Sequence, residues 1–125
     1  MSTLTEKSIE SKLRSDLKTI CQLTYQNGLI TGTDGNLSLK VSSDLILITP
    51  SDSHRGLLKE DDFVLVDLEG NILSNGKAPS YDLSIHLAAY KARPEITAII
   101  HAHPPTTVSL SVSNININEP VLPNA

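Results

Sequence analysis

The chain has 125 residues, a formal net charge of −4, and Lys and Arg side chains that form no cluster. Because proteins bind nucleic acid through concentrated positive charge, this composition argues against a nucleic-acid partner. The apolar fraction is ordinary for a folded chain, and no apolar run is long enough to span a membrane. The single cysteine, Cys21, has no intrachain partner and is expected in the core. We therefore expect a cytoplasmic chain with one small domain over residues 1–125.

The first predicted element is an amphipathic helix over residues 8–27. Ser8 is placed to cap its start, and Asn27-Gly28 is placed to end it. Its apolar stripe comprises Ile9, Leu13, Leu17, Ile20 and Thr24. Alternating or continuous apolar residues then predict strands over 37–41, 45–49 and 63–67, with a short fourth strand at Ile72-Leu73.

The second half of the chain predicts a helix over 80–93 and a strand over 97–103, each closed by proline. The pattern of residues 106–112 leaves helix and strand open, and the tail that follows is predicted to be irregular. Because the short turns between strands exclude a purely parallel sheet, the element order predicts a mixed α/β fold. Its sheet is expected to be mainly antiparallel and flanked by helices.

His101 and His103 stand two residues apart on the last predicted strand, so their side chains are expected on one face. Two neighbouring imidazoles can bind one divalent metal ion together. Neutral imidazole is a good ligand for zinc and similar ions. The two prolines that follow end the strand. They leave the histidine pair at the end of the strand, where a cleft can open. Because H-x-H is a short motif, a chance pair of surface or core histidines is the alternative.

Asp82 and His86 are four residues apart on the second predicted helix and therefore share a face. Asp82 falls in the first turn, where the helix dipole favours a carboxylate, so a helix-start acid with a side-chain partner is one interpretation. The other is a carboxylate that binds a metal or transfers a proton from a rigid element. The residues alone leave both interpretations open.

Three loops of small residues lie at the ends of predicted strands and helices: Gly35-Asn36, Thr49-Pro50-Ser51 and Pro79-Ser80. Exposed backbone N–H groups, a serine hydroxyl and a helix N-terminus can together bind a phosphate group without a cation. Taken singly, each loop is most often an ordinary turn. They form a site only if the fold brings them together.

An ordered set of motifs resembles the class II aldolase/adducin family. The motifs are T-D-G-N-L-S (33–38), I-T-P-S (48–51), D-D-F-V-L-V-D-L-E-G (61–70), K-A-P-S-Y-D-L-S-I-H-L-A-A-Y-K-A-R-P (77–94) and A-I-I-H-A-H-P-P (98–105). Each motif is short, but together they cover nearly the whole chain in the family's order. The family includes aldolases, an epimerase and a dehydratase that act on sugar phosphates, and also the non-catalytic head domain of adducin.

The resemblance implies a lyase similar to L-fuculose-phosphate aldolase, which cleaves a small ketose phosphate through an enediolate stabilised by zinc or another divalent metal. By position, Asp82 would be the acid–base residue, and His101 and His103 would bind the metal together with Asp82. The substrate phosphate would be bound by Gly35, Asn36, Ser51, Asp52, Ser80 and Tyr81. A homo-oligomer, a tetramer in the family, is implied as well. The alternatives are a non-catalytic adducin-like module, or an epimerase or dehydratase on the same scaffold.

Three features depart from the family pattern. Asp82 stands where family aldolases usually carry Glu, which is one methylene longer. Asp52 and Tyr81 replace a glycine and a small hydroxyl residue, so they would add negative charge and bulk to a phosphate pocket. The family's third histidine ligand lies beyond Ala125, so the chain resembles the N-terminal portion of the family domain. We therefore expect a truncated domain with an exposed sheet edge or apolar face.

Overall fold

Three helices and a four-stranded sheet make up the residues that the computed structural model describes, 3–74 and 76–118. The helices are α1 (Leu4–Gln26), α2 (Leu83–Ala92) and α3 (Pro105–Val112). The strands are β1 (Asn36–Lys40), β2 (Leu45–Ile48), β3 (Val64–Asp67) and β4 (Ala98–His101). The sheet has the order β3-β2-β1-β4, and every neighbouring pair is antiparallel. The predicted mixed α/β fold with an antiparallel sheet is confirmed.

The sheet separates two apolar clusters, because alternate side chains of a strand point to opposite faces. On one face, Leu17 and Cys21 of α1 belong to the same buried cluster as Leu37 of β1. On the other face, Ile46 of β2 and Tyr90 of α2 belong to the second cluster. β2 contributes to both clusters, which explains why its sequence is a continuous apolar run. The predicted burial of the single cysteine is also confirmed.

The start of α1 differs from the prediction, because Thr3 rather than Ser8 is its N-cap. The Thr3 hydroxyl accepts a hydrogen bond from the Glu6 backbone N–H at 3.2 Å, and the Glu6 carboxylate accepts one from the Thr3 backbone N–H. This reciprocal capping box satisfies two N–H groups at the helix start, so the helix extends to Leu4 and Ser8 lies within it.

The apolar stripe of α1 is shorter than predicted. Leu17 and Thr24 are buried, whereas Ile9 is 47% exposed and Ile20 is 41% exposed. The prediction was wrong at these two isoleucines because they line shallow grooves at the margins of the contact between helix and sheet. Among the described residues, no helix is both long and apolar enough to cross a membrane.

The last strand is shorter than predicted and ends at His101, so His103 lies in the connection to α3. Pro105 occupies the first turn of α3, a position at which the fixed φ of proline suits a helix. The segment 106–112, which the pattern left open, is therefore helical. The predicted irregular tail extends into residues 119–125, which lie outside the described residues.

The predicted fourth strand at residues 72–73 is reduced to a single bridge between Ile72 and Val66. In the described sheet, β4 instead takes the outer position beside β1 and pairs with that strand alone. The Ile100 side chain of β4 is 55% exposed, and Val112 of α3 is also exposed. β4 is thus an edge strand of the described sheet and carries an exposed apolar residue.

Candidate active site

One end of the sheet, where β1 begins and β4 ends, brings the predicted acid and a predicted metal ligand into contact. The strand register places Asn36 opposite His101, and Asp82 is the N-cap residue of α2. The Asn36 side-chain amide donates to Asp82 Oδ2 at 2.8 Å, and His101 Nδ1 lies 3.3 Å from the same oxygen. Asp82 therefore faces the histidine instead of capping its own helix.

His103 lies beside His101 although it is not part of β4. The two ring centroids are 4.9 Å apart, and the ring planes are inclined by 37°. The His103 backbone N–H donates to the carbonyl oxygen of Leu29 at 3.0 Å, which ties this connection to the segment after α1. The two imidazoles are thus neighbours because a hydrogen bond to Leu29 fixes the loop that carries His103. They do not both belong to a strand.

The donor types at this site fit a divalent metal ion. Imidazole and carboxylate groups are the usual protein ligands of catalytic zinc. Within residues 3–74 and 76–118, however, no three His, Cys, Asp or Glu side chains are grouped closely enough to hold an ion. Asp82 and His101 point at each other, so they satisfy one another in this arrangement. His101, His103 and Asp82 are thus of a suitable donor type, but in this arrangement they do not form a closed metal site.

A buried chain of hydrogen bonds, which we did not predict from the sequence, lies behind the carboxylate. The Ser38 hydroxyl lies 2.9 Å from the Tyr90 hydroxyl and 2.6 Å from His86 Nδ1. His86 Nε2 lies 2.5 Å from Asn36 Oδ1. Burial and the nearby charge of His101 lower the pKa of His86 to about 4, so its ring is neutral at neutral pH.

The neutral ring sets the direction of every bond in this chain. Asn36 Oδ1 can only accept, so His86 Nε2 donates to it and Nδ1 accepts from the Ser38 hydroxyl. The Ser38 oxygen then accepts from Tyr90. The amide of Asn36 is thereby oriented with its NH2 group toward Asp82, where it donates to the carboxylate. The Asn36 side chain thus contacts Asp82 in the structure. Its predicted part in phosphate binding stays a prediction.

A pocket of about 190 Å³ opens next to Asp82 and His103. Its lining residues are Thr33, Asp34, Gly35, Asn36, Arg55, Ser80, Tyr81, Asp82 and His103. Four of the six predicted phosphate-binding residues are among them: Gly35, Asn36, Ser80 and Tyr81. The other two, Ser51 and Asp52, do not line the pocket. Two of the three predicted loops therefore converge on it.

Gly35 and Ser80 hold the backbone of the loops that line the pocket. A Cβ atom on Gly35 would lie 2.6 Å from Ile30 Cγ2 and 2.7 Å from the His101 carbonyl oxygen, and its φ is +69°. Only glycine fits this close approach. Ser80 is buried, and its hydroxyl donates to the Thr49 carbonyl oxygen at 2.7 Å. The Ser80 hydroxyl therefore ties two loops together within the fold.

The Asp52 carboxylate contacts Tyr81, and Asp52 does not line the pocket. The Tyr81 hydroxyl donates to Asp52 Oδ2 at 2.7 Å. Because the carboxylate accepts this proton and repels a phenolate, it raises the pKa of Tyr81. Asp52 has a φ of +51°, in the left-handed region that favours glycine, the residue expected at this position from the family pattern. The negative charge that we expected inside the pocket is thus engaged outside it.

Arg55 lines the pocket and was not identified from the sequence. Its side chain is 3% exposed, and Nε donates to the Gly35 carbonyl oxygen at 2.9 Å. Nη1 donates to the carbonyl oxygens of Pro50 and Ser53, both at 2.7 Å. Burial lowers the pKa of Arg55, although a guanidinium group stays charged in proteins. Because an arginine in a polar loop is usually solvent-exposed, only the fold reveals this position.

His54 is half-buried against Tyr25. The two ring centroids are 4.6 Å apart in an edge-to-face arrangement. His54 Nδ1 accepts a hydrogen bond from the Gly56 backbone N–H at 3.1 Å. This histidine does not line the pocket.

The sequence of the chain matches one known family. Residues 15–125 match the model of the class II aldolase and adducin N-terminal domain. The chain belongs to the class II aldolase and adducin family. Members of this family generally depend on a divalent metal ion, bind sugar phosphates and are commonly oligomeric.

Relatives within the class II aldolase and adducin family carry out several reactions. The L-fuculose phosphate aldolase of Methanocaldococcus jannaschii is 41% identical over 97 residues, which cover 78% of this chain and 51% of the relative. The 3-oxo-tetronate 4-phosphate decarboxylase of Haemophilus influenzae is 37% identical over 100 residues, covering 79% of this chain and 47% of the relative. Other relatives are named methylthioribulose-1-phosphate dehydratase. The chain spans about half the length of the curated relatives it matches.

Solved structures of the family share the fold. YgbL from Escherichia coli has a TM-score of 0.78 and 35% sequence identity to this chain. The match covers 82% of this chain and 49% of YgbL. The relation to the class II aldolases thus holds for both sequence and structure.

Proposed function

We propose that this chain provides the metal-binding and phosphate-binding half of a divalent-metal-dependent lyase that breaks or forms a carbon–carbon bond in a small ketose phosphate. The main support is the contact of Asp82 with His101, beside His103 and at the edge of a pocket. Family membership supports the same class of enzyme. We also propose that the protein is a homo-oligomer, as family members commonly are.

In this proposal His101 and His103 hold the metal ion, and Asp82 lies next to it as a third donor. We propose zinc, because a donor set rich in imidazole suits this ion. A bound divalent ion would act as a Lewis acid on the carbonyl and hydroxyl oxygens of the ketose. The chain's own side chains would orient the substrate and move its protons.

Asp82 is proposed to transfer the proton. In retro-aldol cleavage, the hydroxyl on the carbon β to the carbonyl loses its proton, and the bond between the α and β carbons breaks. The electron pair of that bond passes to the ketone fragment, whose α carbon then takes up a proton. Asp82 would accept the first proton and return it to the α carbon. The hydrogen bond from Asn36 supports this role because it fixes the orientation of the carboxylate.

The phosphate group of the substrate is proposed to lie between the Gly35 loop and the N-terminus of α2. Within the described residues, the backbone N–H groups of Gly35, Tyr81 and Asp82 donate no hydrogen bond to another residue. Free N–H groups at a helix N-terminus favour an anion. Binding the phosphate at a distance from the reacting carbons would orient the ketose toward Asp82.

Zinc content tests the metal assignment. Protein purified without chelator is expected to bind zinc, and His101→Ala is expected to bind much less. His54→Ala is the matched control, because this histidine lies outside the pocket and its loss should leave the zinc content unchanged. Equal zinc content in wild type and His101→Ala would contradict the proposed ligand.

Activity tests the role of Asp82. We expect cleavage of at least one compound in a panel of ketose 1-phosphates, measured as release of an aldehyde. Asp82→Asn keeps the size of the side chain but cannot accept the proton, so the rate should fall about a hundred-fold or more. An Asp82→Asn variant as active as wild type would remove Asp82 from the reaction.

A dehydratase or a decarboxylase is the second candidate, because relatives with those names match this chain nearly as well as the aldolase does. A carboxylate beside a divalent ion also serves these reactions, since each develops negative charge next to a carbonyl group. The products separate the candidates: an aldehyde indicates an aldolase, loss of water a dehydratase, and carbon dioxide a decarboxylase.

A non-catalytic module, as in adducin, is the third candidate. The observation that favours it is the lack of a complete three-residue donor group among residues 3–74 and 76–118. This candidate predicts no zinc in the protein purified without chelator and no product from any ketose phosphate.

A further inference from the structure

We propose that Arg55 is a further residue that binds the phosphate group of the substrate in the pocket. The inference rests on the proposed function for the identity of the ligand, and it adds a residue that the family motifs do not assign. None of the six phosphate-binding residues taken from those motifs carries a positive charge. Arg55 is a cation among the lining residues of the same pocket.

The charge of Arg55 has no counter-ion in the described part of the chain. Its side chain is almost fully buried, yet no described carboxylate forms an ion pair with it. Asp34 and Asp52 act on it only through space. A buried charge is costly unless it is paired, and carbonyl oxygens compensate it only in part. A bound anion would supply the missing partner.

The guanidinium group presents a free side. Nε and Nη1 are held by the carbonyl oxygens of Gly35, Pro50 and Ser53, which fix the plane of the group. Nη2 has no hydrogen-bond partner among the described residues, and Arg55 is one of the residues that line the pocket. The two N–H groups of Nη2 are therefore available to oxygen atoms of an anion.

The carboxylates near the pocket already accept hydrogen bonds, whereas Arg55 has donors that no described residue uses. Asp82 accepts from the Asn36 amide, and Asp52 accepts from the Tyr81 hydroxyl. Asp34 accepts from the Thr31 backbone N–H at 2.5 Å. The carboxylates keep their charge, and the free donors of Nη2 offer an anion direct hydrogen bonds beside them.

The donors around the pocket favour a tetrahedral anion. Arg55 lies on the Gly35 loop side, whereas the free N–H groups of Tyr81 and Asp82 lie at the start of α2. Donors that approach from separate elements suit the three terminal oxygens of a phosphate monoester better than the two oxygens of a carboxylate.

Titration of the wild-type chain with inorganic phosphate, followed by NMR, tests this inference directly. We expect the side-chain N–H signals of Arg55 and the backbone amide signals of Gly35 and Tyr81 to shift in a saturable manner. Arg14 is the internal control, because it also donates to backbone carbonyl oxygens but is paired with Glu10 outside the pocket. An unchanged Arg55 signal at saturating phosphate would overturn the proposal.

Substitutions provide the quantitative test. Arg55→Gln is expected to weaken phosphate binding roughly ten- to a hundred-fold, the range for loss of a charge-assisted hydrogen bond. Arg55→Lys retains the charge and should lose less, whereas Arg14→Gln should bind phosphate as wild type does. Wild-type affinity in a folded Arg55→Gln, or an equal loss in Arg14→Gln, overturns the assignment. If Arg55→Gln does not fold, the Arg55 signal of the wild type decides.

The two proposals fail separately. The phosphate titration is performed with a chelator present, so its outcome does not depend on a metal ion. Loss of the phosphate result would leave the zinc measurement on His101→Ala intact. A chain without zinc could still bind phosphate through Arg55, which would remove the lyase proposal and keep the anion site.

Discussion

At the scale of single residues, His86 determines how Asp82 is presented. The sequence indicated only that the two residues share a helix face, and the structure joins them through Asn36. Because the ring of His86 is neutral and buried, it orients the Asn36 amide without bringing a second charge to the site. A polar side chain in the core thus sets the environment of an acid at the surface.

This arrangement predicts a pH dependence of stability. The pKa of His86 is about 4 in the folded chain, against an ordinary value of 6.5, so the unfolded chain binds a proton that the folded chain does not. The His86 contribution to the free energy of unfolding is therefore complete above pH 6.5 and lost as the pH falls toward 4. The expected loss is on the order of 3 kcal/mol, measurable by urea unfolding across this pH range.

His86→Gln is the control for this prediction. Glutamine can donate to Asn36 Oδ1 but does not titrate, so the variant should be less stable at neutral pH and should lose most of the pH dependence. A steep pH dependence that persists in His86→Gln would assign the effect to another group.

The residues that sequence analysis identified differ in kind from those it missed. Asp82, His101 and His103 stand in short motifs whose spacing suggests chemistry. Ser38, by contrast, contacts His86 and Tyr90, which lie 48 and 52 residues further along the chain. No local pattern encodes such a contact, because it depends on how α2 packs on the sheet.

At the scale of elements, the loop before β1 controls the pocket, and two glycines test this. Gly28 and Gly35 have nearly equal φ values of +71° and +69°, but only Gly35 lacks room for a Cβ atom. We expect Gly28→Ala to lower the free energy of unfolding by about 1 kcal/mol, the cost of a left-handed backbone. Gly35→Ala should lower it by about 3 kcal/mol or more, because overpacking adds to that cost. Urea unfolding of both variants measures the difference.

Equal losses in the two alanine variants would show that the Gly35 loop yields to a side chain. In that case, the close approach to Ile30 and to the His101 carbonyl oxygen would not constrain the pocket. Wild-type stability in Gly28→Ala would instead show that the backbone after α1 relaxes.

Element types were predicted more accurately than element ends. β2 and β3 were found where apolar runs indicated them, since burial on the sheet determines both. The start of α1 was missed although T-L-T-E at residues 3–6 carries the capping-box pattern, which competes with Ser8 as a start signal. The end of β4 could not be predicted, because it depends on a long-range contact. The His103 backbone N–H donates a hydrogen bond to the Leu29 carbonyl oxygen.

At the scale of the whole molecule, Cys21 reports on unfolding. It is the single cysteine of the chain, it is fully buried between α1 and the sheet, and burial raises its pKa to about 12. We expect a thiol reagent to label the native protein only through global opening, so the labelling rate should follow the stability of the fold. The reference is the chain unfolded in guanidinium chloride, in which the Cys21 thiol should be labelled at once and completely. Immediate labelling under native conditions would show that α1 separates from the sheet locally.

The overall architecture followed from simple periodicities, whereas the assembly of the site did not. The apolar patterns of α1, α2, β1, β2 and β3 follow from which of their side chains are buried. Arg55, His103 and the pocket depend on where loops meet, and a loop carries no periodic signal. Resemblance to a family supplied the site residues that elementary pattern analysis left open.

The alignment of β1 with β4 has a consequence for how this protein acquires its chemistry. Asn36 and His101 are 65 positions apart along the chain and become direct neighbours only through that pairing. A shift of one position would place Ile100 opposite Asn36 and turn the imidazole toward the other side of the sheet. The contact between Asp82 and His101 therefore exists only when β4 is paired with β1 in this one alignment. For the lyase that we propose, correct pairing of these two strands would thus be a condition of activity.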